Sequence, residues 1–187
     1  TLDAIPQPAL TESWNAPRVE LPQPTDPYKP YPRGAVTQHA PHGTKMPSGK
    51  YPIATGLELD GMGQSSGSPK MHTAMTVKRR EKLVKLSKEL PLPEVHGDAE
   101  GDVLIVGWGS TTGPINESVD RLRAEGHKAG CIAMRHLHPM PAALDTIFNR
   151  YKKVIVVEIN DSGVYGYGQL AMLLRAVVAP LVLIATV

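Results

Sequence analysis

A glycine-rich turn with hydroxyl side chains is the part of the sequence best suited to bind a ligand. It lies in DVLIVGWGSTTGPINESVDRLRAEG, residues 102–126, where an apolar strand leads into an amphipathic helix. Backbone N–H groups at a helix N-terminus attract phosphate and carboxylate groups, so Gly109, Ser110 and Thr111 are candidates for a weak anion site. We favour the alternative, in which residues 110–112 only cap the helix and the glycines only turn the chain.

The same turn fails both common nucleotide-binding patterns. A dinucleotide-binding GxGxxG motif needs a third glycine for close packing of helix on strand. Here Gly107 and Gly109 fit, but Thr112 takes the third position and Gly113 follows one residue late. The next strand ends without the carboxylate that would bind ribose, and no GK[ST] follows to complete a P-loop. The sequence therefore predicts no nucleotide site of either type.

The histidines and the cysteine do not form a recognisable metal site. His136 and His138 are two residues apart, with His127 and Cys131 nearby in the sequence. This set lacks the C-x-x-C or H-x-x-x-H spacing that brings metal ligands together. We therefore predict no metal in this segment.

Two charged residues follow predicted strands, at the edge where doubly wound sheets bind ligands. They are Arg135 and Glu158. An ion pair between loops, or a contact with a partner subunit, would explain them as well as a ligand site, and we favour those explanations. Because no nucleophile elbow, paired carboxylates or Cys/His pair occurs, we predict no catalytic residue here.

Composition excludes several classes of protein. The 187 residues contain 20 Lys and Arg against 18 Asp and Glu, a balance that does not favour nucleic-acid binding. A single cysteine excludes a disulfide framework and a cluster held by this chain alone, and it fits a reducing cytoplasm. No signal peptide is recognisable, and the longest apolar run, at residues 176–187, contains a proline and is too short to span a membrane. We expect a cytoplasmic protein that acts as part of a longer subunit.

The distribution of proline predicts two regions. Of the 18 prolines, 11 lie in residues 1–52, where they break helical and alternating patterns. We predict an extended Pro-rich arm over residues 1–50, packed on the protein through its aromatic side chains, with a free tail as the alternative. Residues 51–187 are predicted to form one α/β domain.

Apolar runs within residues 51–187 alternate between strand and helix patterns. Continuous Val, Ile and Leu runs predict strands that helices cover on both faces, and hence a three-layer, doubly wound α/β sheet. The predicted strands are 52–60, 103–107, 128–134, 152–159 and 181–187, and the predicted helices are 71–90, 114–125, 142–151 and 169–177. The helix at 71–90 has a cationic face, which we interpret as solvated because Glu81 and Glu89 interrupt it.

The motifs taken as a series resemble a known family. They are IATGLELDGMG, a KRREKL helix, GDVLIVGWGSTTGPINESVDRLRAEGHKAG, RHLHPMP, KKVIVVEIN and GQLAMLLRA. In this order, over about residues 28–176, the chain resembles the C-terminal part of the alpha subunit of 2-oxoglutarate (2-oxoacid):ferredoxin oxidoreductases. The long loop NDSGVYGYG and the lack of a basic tail after the last strand depart from that family.

The resemblance implies a fold and a function. The fold would be a domain like the transketolase C-terminal domain, with a mixed five-stranded sheet in which one strand is antiparallel. Residues 52–58 complete the set of five candidate strands. The arm would be the end of a preceding thiamine-diphosphate pyrimidine-type domain. A beta subunit would carry thiamine diphosphate with Mg and a [4Fe-4S] cluster, and the complex would convert a 2-oxoacid and CoA to acyl-CoA, passing electrons to ferredoxin.

The resemblance assigns this segment a structural and interface role, with no cofactor bound by it alone. Two alternatives remain open. One is a stand-alone nucleotide- or anion-binding module that uses residues 107–113, and the other is a pyruvate-type subunit of the same class.

Overall fold

The computed structural model describes residues 29–32, 56–161, 163–166, 168–178 and 184–186. Its chain divides into two compact units, with the boundary in the sequence between Lys85 and Leu86. The predicted Pro-rich arm lies almost entirely outside the described residues. The predicted boundary between residues 50 and 51 lies outside them as well, so both stay predictions.

The unit that ends at Lys85 contains a loop at residues 56–66 and most of helix α1, Pro69–Glu89. The strand predicted at residues 52–60 is wrong for residues 56–60, where only Leu59 forms an isolated bridge, to Ser65. The Asp60 carboxylate accepts hydrogen bonds from the N–H groups of Met62 and Gln64, both at 2.9 Å. These bonds close a tight turn immediately after the predicted strand. Residues 52–55 lie outside the described part of the chain.

An ion-pair cluster joins this loop to α1. Both carboxylate oxygens of Glu58 accept hydrogen bonds from the Arg79 guanidinium, at 2.9 and 3.0 Å. His72 Nδ1 lies 2.8 Å from Glu58 Oε2. The hydrogen bond to Arg79, followed by that to His72, lowers the pKa of Glu58 to about 2. The cluster therefore favours the charged carboxylate.

We expect this cluster to make folding stability depend on pH in acid. A carboxyl group whose pKa is lower in the folded state stabilises the protein above its unfolded pKa, which is about 4.3 for Glu. That contribution is lost as the pH falls from about 4.3 toward about 2. Glu58→Gln should flatten the loss of stability over this range, as measured by urea unfolding at several pH values. A Glu58 carboxyl resonance that titrates near the unfolded value in NMR would contradict this prediction.

The unit from Leu86 onward is built on a five-stranded mixed sheet in the order β1-β3-β2-β4-β5. Strands β2 to β5 are parallel, and β1 pairs antiparallel with β3. The strands are β1 His96–Gly97, β2 Gly101–Trp108, β3 Ala129–Met134, β4 Tyr151–Val156 and β5 Ile184–Thr186.

Helices cover both faces of this sheet. They are α2 Thr112–Ala124, α3 Asp145–Phe148 and α4 Gln169–Val178. One core cluster joins α2 to one face through Ile105, Ile115 and Val119. The other joins α3 and α4 to the opposite face through residues such as Phe148 and Leu170. The predicted three-layer, doubly wound fold with a mixed five-stranded sheet is therefore confirmed.

Two predicted elements differ from the structure. The remaining strand of the five is His96–Gly97, which pairs antiparallel with β3, whereas residues 56–58 of the predicted strand 52–58 are not part of the sheet. The two polar or small residues of β1 form a strand only because they pair with β3. The helix predicted at 142–151 is wrong except for the four residues of α3. Successive tight turns surround α3, and β4 already begins at Tyr151.

Candidate functional site at the carboxyl edge of the sheet

The strand order places a topological switch point between the carboxyl ends of β2 and β4. These two parallel strands are neighbours, and the chain leaves β2 for α2 on one face and β4 for α4 on the other. In open α/β sheets, ligands bind where neighbouring strands lead to opposite faces in this way. A ligand at this edge would therefore contact the turn after β2 and the loop after β4.

The turn after β2 is held by a buried hydroxyl group. Thr111 is only 4% exposed. Its Oγ1 accepts a hydrogen bond from Trp108 N–H at 2.9 Å and donates one to the Trp108 carbonyl at 2.8 Å. A Cβ on Gly107 would collide with this hydroxyl. The glycine and the threonine therefore fit each other and fix the bend between strand and helix.

The three candidate anion-binding residues are adjacent but face different surroundings. Gly109, at a φ of 56°, and Ser110 are exposed near the start of α2, whereas the Thr111 hydroxyl points inward to Trp108. The Thr112 hydroxyl donates to the Gly109 carbonyl at 2.8 Å. Thr111 precedes the first residue of α2 without capping it by a side-chain hydrogen bond. Two hydroxyls thus shape the turn itself, and an anion site at Gly109 and Ser110 remains a prediction.

Replacing Thr111 with Val should destabilise the protein by about 2 kcal/mol. The change keeps the shape of the side chain but leaves the Trp108 N–H without its bond, and an unsatisfied buried donor costs about 1–3 kcal/mol. Thr111→Ser should recover most of the loss. Thr112→Val, which removes a hydrogen bond from a half-buried position, is the matched control and should cost less. Urea unfolding checks this, and equal losses for both Val variants would contradict the assignment.

The loop after β4 places a carboxylate on the N-terminus of α4. Glu158 accepts hydrogen bonds from the N–H groups of Leu170 at 3.1 Å and Ala171 at 3.2 Å, and from the Asn160 side-chain amide at 3.1 Å. The helix dipole favours negative charge at this position. A Cβ on Gly168 would overlap the carboxyl group. Glu158 thus occupies the place where α4 would otherwise attract an external anion.

The other charged candidate, Arg135, directly follows the last residue of β3. It lines a cavity of about 370 Å³ together with His136, Met134 and residues 91–94. Arg135 and His136 are exposed there. Arg135 thus lines a cavity, whereas Glu158 caps a helix.

The remaining sequence candidates do not converge. His127, His136 and His138 are exposed, whereas Cys131 is buried and its thiol donates to the Asn116 side-chain oxygen at 3.2 Å. Burial, and then the nearby charge of Asp120, raises the pKa of Cys131 to about 11. Within the described ranges, no three His, Cys, Asp or Glu side chains are arranged to hold a metal ion. None of the helices described is both long enough and apolar enough to cross a membrane.

Sequence reasoning missed the role of Glu158 as a cap. The carboxylate and the N–H groups that it binds are separated by 12 and 13 residues, across a loop of irregular sequence. The available signal was Gly168 directly before the helical pattern, since glycine there leaves room for a side chain from elsewhere in the fold.

Comparison with known families identifies relatives of this chain. Residues 101–185 match the family described as pyruvate:ferredoxin oxidoreductase core domain II. The 2-oxoglutarate oxidoreductase subunit KorA of Mycobacterium tuberculosis is 36% identical over 178 residues, which are 88% of this chain and 26% of that protein. The alpha subunit of 2-oxoacid:ferredoxin oxidoreductase 2 of Aeropyrum pernix is 40% identical over 128 residues, which are 66% of this chain and 19% of that protein.

A solved structure agrees with these relatives. It is the 2-oxoglutarate:ferredoxin oxidoreductase of Magnetococcus marinus with 2-oxoglutarate, coenzyme A and succinyl-CoA bound. The match has a TM-score of 0.66 at 34% identity, and covers 88% of this chain and 29% of the other. This chain therefore spans about a quarter of the length of the relatives that it matches.

Proposed function

Because the chain belongs to the family of 2-oxoacid:ferredoxin oxidoreductase alpha subunits, we propose that it forms part of an enzyme that decarboxylates 2-oxoglutarate. The complete enzyme would convert 2-oxoglutarate and CoA to succinyl-CoA and CO2, and would pass two electrons to ferredoxin. The observation that carries this proposal is the relationship to 2-oxoglutarate oxidoreductases over 88% of the chain, in sequence and in structure.

Within that enzyme, we assign this segment a structural and interface role. The carboxyl edge of the sheet supports this assignment, because Thr111 and Glu158 use their polar groups on neighbouring backbone. Such contacts stabilise the local backbone, as a structural role requires. The Pro-rich residues 1–50 would connect the segment to a preceding domain of the same subunit.

The iron–sulfur cluster of such an enzyme does not fit the residues of this segment. A [4Fe-4S] cluster is held by four cysteine thiolates, and this sequence contains one cysteine, which is buried as a free thiol. We therefore assign the cluster to a beta subunit or to other domains, and we propose that thiamine diphosphate with its Mg ion is held there too. Thiamine diphosphate held there would supply the electron sink that decarboxylation of a 2-oxoacid requires. A cytoplasmic location accords with the free thiol.

Assay of the intact complex from its source tests the proposal. We expect 2-oxoglutarate and CoA together to support reduction of a viologen dye, with slower or no reduction when pyruvate replaces 2-oxoglutarate. Omission of CoA is the matched control. A faster reaction with pyruvate would show that pyruvate is the substrate of an enzyme of the same class. The absence of reaction with any 2-oxoacid would overturn the proposal.

The composition of the complex provides a second test. We expect the purified enzyme to contain a companion polypeptide with several cysteines, whose mass and sequence are measured by mass spectrometry. A homogeneous preparation of this chain alone, fully active or binding a nucleotide tightly at residues 107–113, would instead favour a stand-alone module.

A further inference from the structure

The side of α4 that faces away from the sheet exposes apolar side chains. The opposite side of α4 is buried, with residues such as Leu170 and Leu174 in the core. The exposed residues lie on one arc of the helix and are Gln169, Met172, Leu173, Ala176 and Val177. Met172 is 38% exposed, Leu173 is 43% exposed and Val177 is 59% exposed. We refer to these five residues as the α4 outer face.

No residue of the α4 outer face is charged. The single charged residue of α4 is Arg175, which is half-buried and lies outside that face. A helix that contacts water on one side normally carries charged and polar residues there, and a helix that is apolar all round is normally buried. The α4 outer face therefore has the composition of a buried surface.

Helix α2, which covers the other face of the same sheet, has the opposite character. It buries Ile115 and Val119. Four of its exposed residues are charged, namely Glu117, Asp120, Arg121 and Arg123. The Arg121 Nε donates to the Glu117 carboxylate at 2.9 Å, one turn away on the surface of the helix. The side chains of α2 therefore suit contact with water, whereas those of the α4 outer face do not.

The size of the α4 outer face limits what can cover it. The 10 residues of α4 span about 15 Å, and a helix with its side chains is about 10 Å wide, so the face presents on the order of 200 Å². A specific interface between separate proteins buries about 800 Å² on each partner. The α4 outer face is therefore too small by itself to hold a second copy of this chain or a separate subunit. A partner that is also held by the polypeptide chain does not meet this limit.

We propose that in the complete enzyme the α4 outer face packs against the preceding domain of the same subunit, through an apolar, uncharged surface of that domain. The inference rests on the proposed function, under which this chain forms about a quarter of a longer alpha subunit. A domain joined by the same polypeptide has a high effective concentration, so a small apolar contact is enough to dock it. The absence of charge from the α4 outer face fits this role, because charged residues are depleted in the cores of interfaces.

Thiol labelling of the intact complex tests whether the face is covered. Val177→Cys places a thiol on the α4 outer face, and Ser118→Cys places one on the exposed side of α2 as the matched control. The rate of reaction with a maleimide is measured by mass spectrometry, in the 187-residue chain and in the complex purified from its source with the variant subunit. Because a thiol must be accessible to react, Val177→Cys should be labelled at least about tenfold more slowly in the complex, whereas the rate for Ser118→Cys should change by less than about twofold.

Cross-linking from the same cysteine identifies the surface that covers the face. A photoactivated cross-linker is attached to Val177→Cys before the complex assembles, and the linked peptides are sequenced by mass spectrometry. We expect them to come from the preceding domain of the same subunit. Cross-links to a companion polypeptide, to a second copy of this chain or to nothing would overturn the proposal.

Two further outcomes of the labelling would overturn the proposal. Equal rates for Val177→Cys in the chain and in the complex would show that the α4 outer face stays open. Slow labelling already in the 187-residue chain would show that residues of this chain cover it. Radical oxidation of the native Met172, slower in the unmodified complex than in the chain, confirms protection without any substitution that could disturb folding.

These measurements use no substrate, so they separate this proposal from the proposed function. A complex that is active with 2-oxoglutarate but leaves the α4 outer face accessible would overturn only the docking of the preceding domain. A complex that reacts with no 2-oxoacid but cross-links to that domain would overturn only the proposed function.

Discussion

Gly168→Ala is expected to lower the free energy of unfolding by about 3 kcal/mol. The added Cβ would overlap the carboxyl group of Glu158, which must then leave the N-terminus of α4. Two hydrogen bonds from backbone N–H groups to a charged acceptor would be lost or stretched. Backbone strain is not the cause, because Gly168 is not among the glycines with positive φ. Urea unfolding of the full chain measures the loss.

A double-mutant cycle with Glu158→Ala tests the cause of this loss. Once the carboxyl group is gone, the alanine at position 168 meets no clash, so the two losses should not add. We expect a coupling of about 2 kcal/mol between the two sites. Gly113→Ala is the matched control, since a Cβ there has open space and should change stability by less than about 1 kcal/mol. An equal cost of Gly168→Ala with and without Glu158 would contradict the packing argument.

The cap also shows why sequence could predict the fold better than the details of the site. Five elements were predictable because each has a regular spacing of apolar residues within its own sequence. They are strands β2, β3 and β4 and helices α2 and α4. The pairing of Glu158 with the N-terminus of α4 depends on the path of the intervening loop. The spacing of apolar residues carries no information about the path of a loop.

Strand β1 and the Glu58 cluster were unpredictable for the same physical reason. The two residues of β1 have no apolar run, and they become a strand only by pairing with β3. Glu58 meets His72 and Arg79 across 14 and 21 residues, and only the folded loop brings them together. The turn at residues 107–113 was partly predictable. Its glycines predicted a bend, but nothing in the sequence predicted that the Thr111 hydroxyl would point inward.

Gly130→Ala is the second large effect, with an expected loss of about 3–4 kcal/mol. Gly130 lies on β3 opposite Gly97 of β1. A Cβ at this position would lie 2.5 Å from the Asp98 carbonyl oxygen and 2.5 Å from the Tyr151 hydroxyl. That hydroxyl donates to the same carbonyl at 2.5 Å, and Tyr151 is 5% exposed. The alanine side chain would therefore push the Asp98 backbone away and also break the hydrogen bond between Tyr151 and Asp98.

Tyr151→Phe separates the two parts of this effect. Removing the hydroxyl should cost about 1–2 kcal/mol by itself, since it leaves the Asp98 carbonyl without this donor. In the Phe background, Gly130→Ala should still cost more than about 2 kcal/mol, because the carbonyl belongs to the backbone and cannot rotate away as a side chain would. Urea unfolding of the four proteins supplies the values. If Gly130→Ala cost nothing in the Tyr151→Phe background, the backbone at the edge of the sheet would have moved to make room for the Cβ. Strand β1 would then be held to β3 less tightly than its contacts indicate.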